Sequence, residues 1–147
     1  MSDDLEVAEE GAEPLLTKEH VEERVADWQS RLTGLFDQVS VWAKSAGWVV
    51  DSHSAAPMHE ELMRKYGVPA ALQPMLRVEN AKGYALFKPK GLWVIGANGR
   101  IDLYTSKGSF IIVDLADYKG SPKWTIFRVT HKREGETFKP EMLGDLV

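Results

Sequence analysis

The sequence contains no cysteine, and this absence excludes several kinds of chemistry at once. None of the 147 residues can form a disulfide, bind zinc as a thiolate or act as a thiol nucleophile. No Gly-x-Ser-x-Gly elbow occurs, so nucleophilic serine chemistry lacks its usual signature. The glycines between 91 and 99 form neither a dinucleotide fingerprint nor a phosphate loop, because no strand-to-helix transition accompanies them. We therefore expect no cofactor and favour a protein that is not an enzyme.

Long apolar runs are missing as well. No stretch approaches the roughly 18 apolar residues that a membrane span needs. The N-terminus is acidic, whereas a signal peptide begins with a basic and then an apolar region. We expect a cytoplasmic protein that has no membrane partner. With 44% hydrophobic and 27% charged residues, the composition is that of an ordinary globular domain.

Charge is distributed unevenly along the chain. Residues 1–16 contain six acidic residues and no basic one, and they show no hydrophobic periodicity. We predict that 1–16 is a disordered acidic tail and that 17–147 forms a single domain. Residues 82–133 contain ten lysines and arginines against three aspartates, although the net charge of the whole chain is −4. The body of the domain is therefore basic.

The strongest structural signal lies between residues 17 and 46. Thr17 is a suitable N-cap, Gly47 is a suitable C-terminal stop, and Gly34 marks either a kink or a close packing contact. Apolar residues recur between these limits at alternating spacings of four and three, which places them on one stripe of an α-helix. The stripe predicts packing against a sheet of the same chain, which we favour, or a coiled-coil homodimer. Its members are Val21, Val25, Trp28, Leu32, Leu35, Val39, Trp42 and Ala46.

Downstream of this helix the hydrophobic period changes to two. A short strand is predicted at 48–50, a turn at 52–57, a short helix at about 58–66 and a connection at 69–74. The sequence predicts an α+β fold, with the long N-terminal helix packed on an antiparallel β-meander of about five or six strands. Asn98-Gly99 is a hairpin signal within that meander. Its predicted strands are 75–79, 84–88, 92–95, 100–105, 110–115 and 124–129.

Basic and aromatic residues on the predicted strands and turns form the candidate binding site. Single-stranded nucleic-acid binders combine cations for phosphates with rings for base stacking. Surplus aromatic residues on a sheet favour a protein partner when they are exposed, and three of the five tryptophans fall on predicted strands. The candidate residues are Lys88, Arg100, Tyr104, Lys107, Lys123, Trp124 and Arg128.

Two aspartates form a candidate metal site. Asp102 follows Gly99-Arg100-Ile101 at a turn–strand junction, and Asp114 ends an apolar strand twelve residues later. This arrangement resembles the restriction-endonuclease-like nuclease superfamily, where two such carboxylates hold Mg²⁺. The resemblance covers residues 99–119 and departs from that pattern at Ala116, where a lysine is expected. The alternative is that both aspartates face solvent.

A second group of possible metal ligands occurs near residue 55. His and carboxylate side chains lie close together there and could supply a set of two histidines and one carboxylate. No His-Glu-x-x-His spacing is present, and the alternative is a set of polar loop residues. The group consists of Asp51, His53, His59, Glu60 and Glu61.

Taken together, these patterns favour a non-enzymatic intracellular binding protein of the inhibitor or adaptor kind. Its exposed basic and aromatic sheet face would contact another protein. Two alternatives stay open, a nucleic-acid-binding module and a degenerate metal-dependent nuclease fold. The sequence favours the first function because no catalytic constellation accompanies the basic residues.

Overall fold

The computed structural model describes residues 16–129 and 131–147 and has the predicted α+β architecture. The predicted acidic tail lies outside the described residues, except for Leu16. The helices are α1 (Lys18–Ser45), α2 (Glu61–Lys65) and α3 (Leu143–Leu146), with a 3-10 turn at Pro140–Met142 before α3. The strands are β1 (Val49–Asp51), β2 (Ala55–Met58), β3 (Ala71–Pro74), β4 (Leu76–Asn80), β5 (Gly83–Gly91), β6 (Arg100–Thr105), β7 (Gly108–Asp114), β8 (Trp124–Arg128) and β9 (His131–Thr137).

Seven of these strands form one antiparallel sheet in the order β1-β4-β5-β6-β7-β8-β9. From β4 onward each strand pairs with the next one in the chain, which is the predicted meander. β1 extends the sheet beside β4, and β2 and β3 form a separate two-stranded sheet. The main sheet is therefore larger than the five or six strands expected.

Several local predictions differ from the structure. Segments 52–57 and 69–74, predicted as a turn and a connection, contribute β2 and β3, whose backbones pair with each other. The apolar run 92–95 is a loop rather than a strand, with one isolated bridge between Val94 and Ala97. Two of its amides donate to the carboxylate of Glu60, at 2.7 and 3.3 Å, rather than to a neighbouring strand. β9 lies beyond the last predicted strand, in a charged segment without alternation.

Helix α1 packs across one face of the sheet and supplies the centre of the core. It begins at an N-cap as predicted, since Thr17 Oγ1 accepts a hydrogen bond from the amide of His20 at 3.1 Å. Gly47, with a φ of 82°, follows its C-terminal end. Because the core of this chain takes up most of the stripe, α1 keeps no continuous apolar stripe for a coiled-coil partner. The buried members of the stripe include Val21, Val25, Trp28, Leu32, Leu35 and Val39. No helix among the described residues is both long and apolar enough to cross a membrane.

Gly99 packs directly against the ring of Trp28, the tryptophan at the centre of the core. Trp28 is completely buried, and its indole N–H donates to the side-chain oxygen of Gln73 at 3.0 Å. A Cβ atom on Gly99 would lie 2.3 Å from a ring carbon of Trp28, and Gly99 has a φ of 107°. Gly34 differs, because a Cβ there would meet no atom within 4 Å. Close packing against another residue therefore does not explain why a glycine occupies position 34.

We predict opposite effects of alanine at these two glycines. Gly99→Ala should lower the free energy of unfolding by about 3 kcal/mol, because it adds a clash in the core to an unfavourable φ. Gly34→Ala should raise that free energy by about 1 kcal/mol, because alanine is the better helix former and finds open space. Urea denaturation followed by tryptophan fluorescence measures both. A neutral Gly99→Ala variant would contradict the described contact with Trp28.

Candidate functional site

Strand alternation divides the predicted site residues between the two faces of the sheet. In β6, Ile101 and Leu103 are buried towards α1, so Arg100, Asp102 and Tyr104 point the other way. We call this second side the open face. Among the described residues no helix packs on it, since the helical elements cluster around α1.

The seven predicted binding residues do not form one surface. Arg128 lies on the helix-covered side, with its guanidinium 5.0 Å from the centre of the Phe110 ring. Trp124 lies on that side too, and its ring centre is 6.1 Å from that of Trp28. Lys107 and Lys123 are located in connections at opposite ends of β7. The open face retains three of the seven, namely Lys88, Arg100 and Tyr104.

Tryptophans are not the exposed aromatic residues that the sequence suggested. Trp28 is buried, and Trp42, Trp48, Trp93 and Trp124 are half-buried against the core. Trp42 and Trp48 pack edge to face, with ring centres 4.9 Å apart. The exposed large apolar side chains of the described residues therefore include no tryptophan.

Asp102 and Asp114 lie on opposite faces of the sheet. Asp102 is on the open face, where its carboxylate accepts a hydrogen bond from Arg100 Nε at 2.9 Å. Asp114 faces α1 and is 0% exposed, so the alternative that both aspartates face solvent is wrong for this residue. A single ion could not bridge two carboxylates placed in this way. The described residues contain no group of three His, Asp or Glu side chains that could hold a metal.

The polar residues near position 55 make hydrogen bonds within their own turns and loops and do not come together as a set of metal ligands. Hydrogen bonds from the amide and then the ring of His53 lower the pKa of exposed Asp51. The ring of His59 contacts the carbonyl oxygen of Val68 at 3.0 Å. Glu60 accepts the two amides of the loop before β6. Each of these groups therefore has a role in a turn or loop.

Arg31 and Asp114 form an ion pair inside the domain. Arg31 Nη1 donates to Asp114 Oδ2 at 2.5 Å, and Arg31 Nε donates to Asp27 Oδ2 at 2.7 Å. The other oxygen of Asp114 accepts the amides of Ala116 and Lys123, at 2.9 and 2.8 Å. One carboxylate therefore anchors both ends of the segment 115–123, which we call the β7–β8 loop. No local sequence pattern indicates the Arg31–Asp114 pair, because Asp114 is 83 residues from Arg31.

Further contacts tie the β7–β8 loop to α1. Arg31 Nη2 donates to the carbonyl oxygen of Gly120 at 2.6 Å. Burial alone would lower the pKa of Arg31, but its hydrogen bonds with the two aspartates outweigh burial and raise that pKa above its ordinary value. Burial, and next the nearby carboxylate of Glu23, raise the pKa of Tyr118, whose ring lies 4.6 Å from the guanidinium carbon of Arg24. The loop is thus fixed by a cation that stays charged at any physiological pH.

The open face carries an apolar patch beside its charged residues. Ile95 is fully exposed in the loop before β6, and Ile111 lies beneath that loop with 6% of its surface exposed. The ring of Phe127 packs against the backbone of β9 at Gly135, where a Cβ atom would lie 2.4 Å from a ring carbon. These three side chains line a pocket of about 450 Å³, and Arg100 is the one positively charged residue among the described residues of its lining. We define the apolar patch as Val94, Ile95, Ile111, Val113 and Phe127.

Comparisons with known proteins give no relative. No family model, no curated protein and no solved structure matches the chain. A function therefore has to be argued from the residues and their geometry.

We predict that the two aspartates contribute very differently to stability. Asp114→Asn should lower the free energy of unfolding by about 3 kcal/mol, because it leaves a buried guanidinium short of one anionic partner. Asp102→Asn, the matched control on the open face, should change it by less than about 1 kcal/mol. Urea denaturation measures both variants. Equal losses in the two variants would contradict the different roles described for these carboxylates.

Proposed function

We propose that this protein is a non-enzymatic binding module whose open face contacts another protein. The observation that carries the proposal is the apolar patch, which includes the fully exposed Ile95. Around Ile95, three members of the patch are partly exposed and Ile111 is buried. Apolar surface that is bordered by charged side chains is typical of protein interaction sites. A cytoplasmic location stays a prediction from the sequence.

The charged half of the open face indicates what kind of partner fits. Arg100 is paired with Asp102, and Arg77 is paired with Glu79 at 3.0 Å. Lys88 is exposed, and no ion pair joins it to another described residue. The guanidinium of Arg77 also lies 4.5 Å from the centre of the Tyr84 ring. A partner surface with an apolar centre and an acidic border would complement this face.

The structure gives less support to nucleic-acid binding than the sequence did. Cations and rings must share one surface to hold a phosphate backbone and stack its bases. Four of the seven candidate residues lie away from the open face, and Tyr104 is its one candidate ring, 38% exposed. Nucleic-acid binding therefore stays the second candidate, and the separation of Asp102 from Asp114 disfavours the nuclease alternative.

The proposal is tested by charging the centre of the patch. Ile95→Asp should abolish partner binding without unfolding the protein, since the native side chain is fully exposed. Leu72→Asp is the matched control, because Leu72 is 64% exposed on β3, outside the open face. The wild type and both variants are immobilised, and proteins retained from the native cell lysate are quantified by mass spectrometry. The leading protein is then purified and titrated against all three.

The outcomes distinguish the candidates. A purified partner that binds the wild type and Leu72→Asp, and binds Ile95→Asp at least about tenfold more weakly, supports the proposal. If no protein discriminates between the two variants, the open face is not the binding site. In parallel, anisotropy of labelled single- and double-stranded oligonucleotides is measured at about 50 and 200 mM salt. Salt-sensitive oligonucleotide binding that Ile95→Asp leaves unchanged would favour the second candidate.

A further inference from the structure

We infer that a groove between α1 and the β7–β8 loop binds a small organic anion with an apolar or aromatic body. The groove has a volume of about 650 Å³, on the helix-covered side of the sheet. It is therefore separate from the open face and does not depend on the proposed protein interaction. Its main features are Arg31, Gly34 and Gln38 on α1, and Lys119, Lys123 and Trp124 on the other wall.

Gly34 provides the space in this groove. It lies inside α1, where glycine is less favourable than alanine, and a Cβ there would meet no atom within 4 Å. No packing contact of the described residues therefore requires a glycine. The missing side chain does leave the groove wider at its middle, between Arg31 and Gln38 on the same helix face. This width is what a ligand would use.

The charge in the groove favours an anion. Arg31 is 7% exposed, and three of its five N–H groups donate to Asp27, Asp114 and Gly120. Two N–H groups of this guanidinium are not used by any described residue. Lys119 and Lys123 add two exposed positive charges, so three cations stand against the two carboxylates, Asp27 and Asp114, that Arg31 holds. The net charge of the groove is therefore positive.

The opposite wall favours a ligand body that is apolar and flat. Trp124 is half-buried at the start of β8 and leaves part of its ring towards the groove. Phe138 and Pro122 line the same wall. An anion that carries an aromatic ring could place its charge near the lysines and its ring along these side chains. A carboxylate or a phosphate would serve equally as the anionic group.

The binding of simple probes tests this assignment. Inorganic phosphate, AMP and benzoate are titrated to about 10 mM, a range suited to fragment-sized ligands, while ¹⁵N–¹H NMR spectra of the wild-type protein are recorded. We expect AMP or benzoate to shift the amide of Gly34 and the indole N–H of Trp124. Inorganic phosphate, which has no ring, should bind more weakly than AMP. If the organic anion is a carboxylate rather than a phosphate, benzoate will shift these signals and AMP will not.

Two substitutions at one position separate binding from folding. Gly34→Leu should fill the groove and weaken binding of the best probe at least about tenfold, and its melting temperature should not fall, because leucine is a good helix former in open space. Gly34→Ala, the matched control, adds a single methyl group, so it should weaken binding less than Gly34→Leu and melt at a higher temperature. Lys123→Gln should weaken binding about threefold by removing one exposed charge.

The proposal has clear failing outcomes. If none of the three probes shifts Gly34 or Trp124, the groove does not bind anions of this class. If a probe binds but Gly34→Leu has the affinity of the wild type, the site lies elsewhere. Loss of probe binding in Ile95→Asp, with Gly34→Leu unaffected, would move the site to the open face.

Discussion

The ion pair between Arg31 and Asp114 is the interaction on which the arrangement of this molecule depends. A buried carboxylate is costly unless it is paired and hydrogen-bonded, and that of Asp114 accepts hydrogen bonds from the Arg31 guanidinium and from two loop amides. The pair therefore fixes α1 against the far end of β7 and closes the β7–β8 loop at the same time. Because Arg31 also donates to the carbonyl oxygen of Gly120, the loop that forms one wall of the groove is tied directly to α1.

The sequence was sufficient for the parts of the fold that follow local patterns. The spacing from Val21 to Val39 predicted which face of α1 is buried, and alternation in β6 predicted which residues share a side. It failed where tertiary contacts decide the local structure. Segment 92–95 has the composition of a strand, yet two of its amides donate to the carboxylate of Glu60 instead of a neighbouring strand. β9 is formed by charged residues because its backbone pairs with the free edge of β8. Neither partner can be read from the segment itself.

The candidate site was less predictable than the fold, for a geometric reason. Alternation assigns residues within one strand to a face, but it cannot relate one strand to another without their register. Arg100 and Trp124 therefore looked equivalent, although pairing through β7 places them on opposite sides. Asp114 gave no sign of burial, because its partner is 83 residues away. The apolar patch was missed because Ile95 and Phe127 belong to separate segments that only the folded sheet brings together.

The strand order has a consequence for the synthesis of the protein. Each strand from β5 to β9 pairs with the one made just before it, so the sheet can grow by successive hairpins as the chain leaves the ribosome. Helix α1 is made first, but Asp114 and Trp124, which contact it, are made about 80 residues or more after their partners Arg31 and Trp28. Strands β1, β3 and β4 also contact α1 and are made earlier, so during that interval the apolar stripe is covered only in part. Until β7 and β8 are made, the rest of the stripe is exposed apolar surface, and such surface makes a partly folded chain prone to aggregation.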